Sequence, residues 1–142
     1  MNFQYNDGGR KAAGYQGTTG DCTCRAIAIG EQMPYDYVYD LLNENAKHQR
    51  ITKKQVKRGS ARTGVYKTTI KKVLQMLGWE WHPTMSIGSG CKVHLRDGEL
   101  PMGRLIVNVS RHMVAVVDGV INDTHDCSRG GMRCVYGYWR KP

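Results

Sequence analysis

Gln16-Gly17-Thr18-Thr19-Gly20-Asp21-Cys22 runs directly into Thr23-Cys24-Arg25-Ala26-Ile27-Ala28-Ile29, a segment with helical patterning. A cysteine that opens a helix is placed for nucleophilic chemistry. The converging N–H groups of the first turn favour the thiolate, and such sites pull a thiol from about pH 8.5 toward roughly 3.5–7.5. A glutamine six residues earlier supplies a side-chain N–H that, with the Cys22 backbone N–H, can bind an oxyanion. Sulfur attack on an amide carbonyl also needs an imidazole to pair with the thiolate and protonate the leaving amine, and a third group to orient that imidazole. Ninety residues further on, Ser110-Arg111-His112 and Asn122-Asp123 offer both.

The elements around these residues decide whether they meet. Asp118-Gly119 is a two-residue hairpin signal between apolar strands, His112 to Val117 and Val120 to Thr124. With that turn Val117 faces Val120 and Val114 faces Asp123. Alternation then puts His112, Val114 and Val116 on one face with Ile121, Asp123 and His125 across from them. Asp123 is diagonal to His112 and within reach; Asn122 points the other way. A slip of one residue would exchange the two. His125, opposite His112 near the open end of the hairpin, is a rival base.

On the N-terminal side, residues 1–15 read as loosely held. A first helix begins at Asp21 or Cys22 and ends at Gly30, a second spans about Tyr35 to Ala46 behind Pro34, and a third runs Ile70 to Leu77 behind Thr68 or Thr69, closed by Gly78. Trp79 to His82, Arg104 to Val109 and Arg133 to Trp139 read as further strands. Trp79 and Trp81 read as core, and Tyr136, Tyr138 and Trp139 as sheet packing. Helices first and strands after predict an α+β domain with a C-terminal antiparallel sheet carrying the His/Asp pair.

The 142 residues fit one domain, residues 1–142, with one core. No apolar run is long enough for a membrane helix and no signal-peptide pattern is present, which predicts a cytoplasmic protein. The five cysteines, at 22, 24, 91, 127 and 134, are odd in number and irregular in spacing, which fits reduced thiols. Zinc at Cys22, Cys24, His125, Cys127 and Cys134 is disfavoured by spacing, so no metal or cofactor is expected. Net charge is +9, and ten Lys or Arg with no acid fall between Lys47 and Lys72. Residues 47–67 read as a basic, solvated insertion, or as a strip for nucleic acid or an acidic protein.

Gln16-Gly17-x-x-Gly20-x-Cys22, with a late histidine on a strand and an aspartate on the next, resembles the papain-like cysteine peptidase superfamily. The compact layout is more similar to its small bacterial and phage branches, such as the bacteriocin-leader-peptidase-like proteins. The resemblance implies nucleophile Cys22, base His112, orienter Asp123 and oxyanion donor Gln16, acting as a hydrolase on a peptide or isopeptide bond of a peptide or protein substrate. The Asn-Ser-Trp-Gly segment that follows papain's histidine is missing. The same thioester could serve an acyl transferase or deamidase, and a non-catalytic module presenting the basic strip is the alternative outside enzymology. Cys24 lies about 200° around the helix from Cys22 and is expected to pack inside. Asp21 beside the nucleophile opposes thiolate formation unless its carboxylate turns back to cap the helix.

Overall fold

The structure, a computed structural model, describes residues 1–16, 20–48, 59–86 and 88–142. The described elements are β1 (Asn2–Tyr5), α1 (Cys22–Glu31), α2 (Tyr35–Lys47), α3 (Lys67–Met76), β2 (Glu80–Pro83), β3 (Arg104–Val109), β4 (His112–Val117), β5 (Val120–Asp123) and β6 (Gly137–Arg140). The class is α+β: three helices against a mixed six-stranded sheet of order β1-β5-β4-β3-β6-β2. Among the described residues no helix is long and apolar enough to cross a membrane. Most of the densest part of the basic segment (Arg50, Lys53, Lys54, Lys57 and Arg58) lies outside the described residues, as does Gly17 of the glycine run.

Asp118 and Gly119 both take positive φ, the mirror-image turn that matches strand twist. They set Val117 opposite Val120, Val116 opposite Ile121 and Ala115 opposite Asn122. β3 pairs antiparallel with β4 and β6, and β2 with β6. The N-terminus departs from the sequence reading. Residues 2–5 form an edge strand parallel to β5, with Phe3 beside Ile121. Four exposed residues carry no alternation to read, and it is main-chain pairing to an open sheet edge that holds them. The sheet is therefore mixed rather than antiparallel throughout.

Alternation sorts the strands. Ile106, Met113 and Trp139 turn toward the helices and pack with Ile27, Leu42 and Leu74. Leu105, Val107, Val114, Val116 and Ile121 turn to the other face, where Leu95 and Val135 cover them. The chain thus packs apolar side chains on both faces of its sheet, not into one core. Residues 88–103, which have little regular structure, supply Val93, Leu95 and Leu100 to this second cover. α1 is buried from Thr23 to Gly30 between sheet and α2. It runs through Gly30 and stops at Gln32 in the left-handed conformation. A Cβ at Gly30 would sit 3.0 Å from Ile106 Cγ1, so this glycine permits close packing rather than ending the helix.

Cys91 and Cys134 are disulfide-bonded, whereas the sequence predicts free thiols throughout. Their segments run antiparallel, Leu95 N–H donating to the Arg133 carbonyl and Val135 N–H to that of Val93. That pairing brings the Cα atoms to 5.9 Å. Cys22, Cys24 and Cys127 are free.

Candidate active site

Cys22 is the first residue of α1 and His112 the first of β4. α1 packs along β4, so the two heads come together at one end of the sheet. The Cys22 thiol sits beside the His112 side chain and the Met113 backbone N–H, both of which favour its thiolate. On the far side of the ring, His112 Nε2 lies 2.6 Å from Asp123 Oδ2. Asp123 is 3 % exposed. Its Oδ1 accepts from the Thr124 N–H at 2.7 Å and pairs with Arg25 Nη2 at 3.5 Å. Asn122 faces elsewhere, its Nδ2 donating to the Val120 carbonyl and its Oδ1 accepting from Asn6.

The charges favour an ion pair. Burial pushes the Cys22 thiol up, but the hydrogen bond and charge of His112, the Met113 N–H and the Arg25 charge outweigh it, leaving the thiol below its usual value. Burial pulls His112 down, but hydrogen bonds to Asp123, Cys127 and Cys22 and the Asp123 charge carry it up to about 11. Asp123 is held low by His112, Thr124 N–H and Arg25 against its own burial. The shifts at all three groups therefore run toward thiolate, imidazolium and carboxylate.

Asp21 answers its apparent conflict in an unexpected way. It occupies the cap position without a side-chain cap bond. Its fully buried carboxylate instead meets Arg25 Nη1 at 3.0 Å and Arg10 Nη1 at 3.2 Å, and accepts from the Tyr35 hydroxyl at 2.6 Å. Two cations offset one carboxylate, so its field at Cys22 is weak. Arg25 bridges Asp21 to Asp123 and so ties the start of α1 to the end of β5. A buried arginine in an otherwise apolar helix was the available sequence signal for this bridge. Cys127, buried and hydrogen-bonded to the His112 ring, had none.

In comparisons with protein-family models, curated proteins and solved structures, nothing matches this chain. The site therefore stands on its own geometry.

The other candidates fall as follows. Cys24 is buried, its thiol donating to the Tyr35 carbonyl at 3.7 Å, and burial, with the Asp21 charge, pushes it up to about 12. The His125 ring is exposed, 5.4 Å from that of His112. His112, Asp123 and His125 put ligand atoms within 4.8 Å of one another, but two of the three are committed to each other by a hydrogen bond, and we assign no ion here. The five-residue zinc set is dispersed, Cys134 by its disulfide and Cys24 by its burial. Gln16 is exposed; its carbonyl accepts from Arg62 Nη2 at 2.9 Å, and it is not among the described residues lining the cleft.

Cys22 and His112 open onto a cleft of about 660 Å³, a size that suits a peptide segment or small ligand. One lip is the 60–64 turn, closed by paired Ser60–Gly64 main-chain bonds. It rests on Gly20, where a Cβ would come 2.9 Å from the Thr63 carbonyl oxygen. The opposite wall carries Trp81 and Tyr136, both 38 % exposed. Trp81 was expected in the core; it stands out because its ring lies over Gly137, where a Cβ would approach it to 2.3 Å. Trp79, by contrast, is buried as expected.

Proposed function

We propose that this protein is a papain-like cysteine hydrolase that cleaves a peptide or isopeptide bond through Cys22, His112 and Asp123. The observation that carries the reading is the continuous chain from thiol to imidazole to buried carboxylate, opening onto the cleft. The Cys22 thiolate attacks the scissile carbonyl carbon, forming a carbon–sulfur bond and an oxyanion. The backbone N–H at Cys22 is the proposed oxyanion donor. The His112 imidazolium gives its proton to the leaving amine as the carbon–nitrogen bond breaks. Neutral His112 then takes a proton from water, hydroxide adds to the thioester, and collapse expels the thiolate with a free acid as product. Asp123 holds the ring through Nε2 and stabilises its charged form.

The test uses fluorescently labelled denatured casein. Wild type should release fragments, and Cys22→Ala and His112→Ala should each lose about 10⁴-fold or more in rate while retaining the fold. Undiminished turnover in either variant would overturn the proposal. A conjugated product rather than free acid would assign acyl transfer from the same thioester. Were the protein to work in the cytoplasm, its disulfide would be reduced; the proposed chemistry does not involve Cys91 or Cys134.

A further inference from the structure

We infer that Asn108 and Trp139 form a docking pair for the main chain of an acidic peptide that carries a large apolar side chain into the cleft. This rests on the hydrolase reading and names its substrate class.

Among the described residues, four buried side-chain nitrogen or oxygen atoms have no hydrogen-bond partner: Arg25 Nε, Arg133 Nε, Asn108 Oδ1 and Trp139 Nε1. Both arginines bond through other nitrogens of the same guanidinium. Asn108 and Trp139 remain, and both line the cleft that holds Cys22 and His112. Leaving such an atom unpaired in a buried setting forfeits its hydration with nothing in return, so each calls for an explanation. Trp139 is 5 % exposed, so solvent offers its N–H little.

Register places the pair relative to the nucleophile. Asn108 stands opposite Met113 on one side and Gly137 on the other. The Met113 backbone N–H is one of the groups near enough to the Cys22 sulfur to favour its thiolate. Trp139 is two residues from Gly137 on the same face of β6. One orphan is an acceptor and the other a donor. A peptide backbone supplies the complement, N–H groups for Asn108 Oδ1 and carbonyls for Trp139 Nε1.

The cleft walls define the side chains. Trp81, Tyr136, Val65 and Ile70 present apolar surface. Lys67, Lys71 and Arg111 also line the cleft, no Asp or Glu does, and none of the three is in an ion pair among the described residues. A peptide with carboxylates flanking an apolar residue matches that distribution. Stacked bases would use Trp81 and Tyr136 but leave the amide-like pairing of Asn108 and Trp139 unexplained.

The test measures fluorescence anisotropy with Cys22→Ala protein at low salt, using fluorescein-labelled decapeptides and a ten-nucleotide oligo-dT. One peptide has a central Phe flanked by Glu, a second the same Phe flanked by Lys, and a third a central Ser flanked by Glu. The first should bind about tenfold more tightly than either control or the oligonucleotide. Trp139→Phe, which removes the indole N–H together with part of the ring, should weaken that binding about fivefold, and so should Asn108→Leu, which is close in size and lacks the acceptor. Asn108→Leu should hold or raise Tm, because it deletes an unpaired polar atom; a structural role would lower it. Equal affinity for all three peptides, oligo-dT binding as tight as the first peptide, or unchanged binding in Trp139→Phe would overturn the inference. Peptide preference without turnover by wild type would overturn the hydrolase reading and support the docking pair. Turnover without peptide preference would do the reverse.

Discussion

At the scale of single residues, the site is an exercise in competing terms at one sulfur. Burial alone would make Cys22 an inert thiol, as it does Cys24 two positions on. The difference is a neighbouring imidazole kept charged by Asp123, together with the Met113 N–H. Iodoacetamide should therefore label Cys22 well below pH 8 while Cys24 lags, read by peptide mass; equal labelling would contradict the assignment. Asp123→Asn keeps the shape but removes the charge that holds His112 protonated. We expect a loss of about 10²–10⁴-fold in kcat, with KM little changed. The approach of His112 to Asp123 was legible in the sequence because period-two alternation and one strong turn set which face each occupies, and Cys22 was legible as the residue that opens α1. Cys127 was not, because its role depends on a tertiary contact that no local pattern encodes; an arginine in an apolar helix marks Arg25 as unusual without naming its partners.

At the scale of elements, close approach shapes the cleft. Gly137 lies beneath the Trp81 ring, and an alanine there would meet that ring at 2.3 Å and the His82 carbonyl oxygen at 2.9 Å. Gly137→Ala should cost about 1–3 kcal/mol of stability and shift Trp81 fluorescence, measured by chemical denaturation and emission spectra. The three helices and five of the six strands were visible as apolar periodicities bounded by turn residues. Their ends moved by a few residues where tertiary contacts overrode local signals: α3 begins at Lys67 rather than behind Thr68 or Thr69, and α1 continues through Gly30. β1 was invisible because an edge strand of four exposed residues has no buried face to mark it.

At the scale of the whole molecule, distant segments are tied by covalent and charged links. The Cys91–Cys134 bond closes a loop of sequence separation 43. Loop-closure entropy for that span is about 4 kcal/mol, so reduction should lower Tm markedly in a scan with and without reductant. The His112–Asp123 pair links folding to pH. His112 is raised from 6.5 to about 11, so its stabilisation is complete below 6.5 and is lost as pH rises through about 11. Asp123 is lowered from 3.8, so its stabilisation is present above that value and lost as pH falls through its folded pKa. The Tm advantage of wild type over His112→Gln should be greatest between these two ordinary values and shrink steadily toward alkaline pH. The central claim is that Cys22 and His112, ninety residues apart, act as one acid–base couple. Ultraviolet absorbance of the thiolate, titrated in wild type with Cys22→Ala subtracted, tests it most directly. The account predicts that the Cys22 thiolate persists below pH 8 and that His112→Ala moves its titration upward. A Cys22 that titrates at or above 9 in both proteins would contradict it.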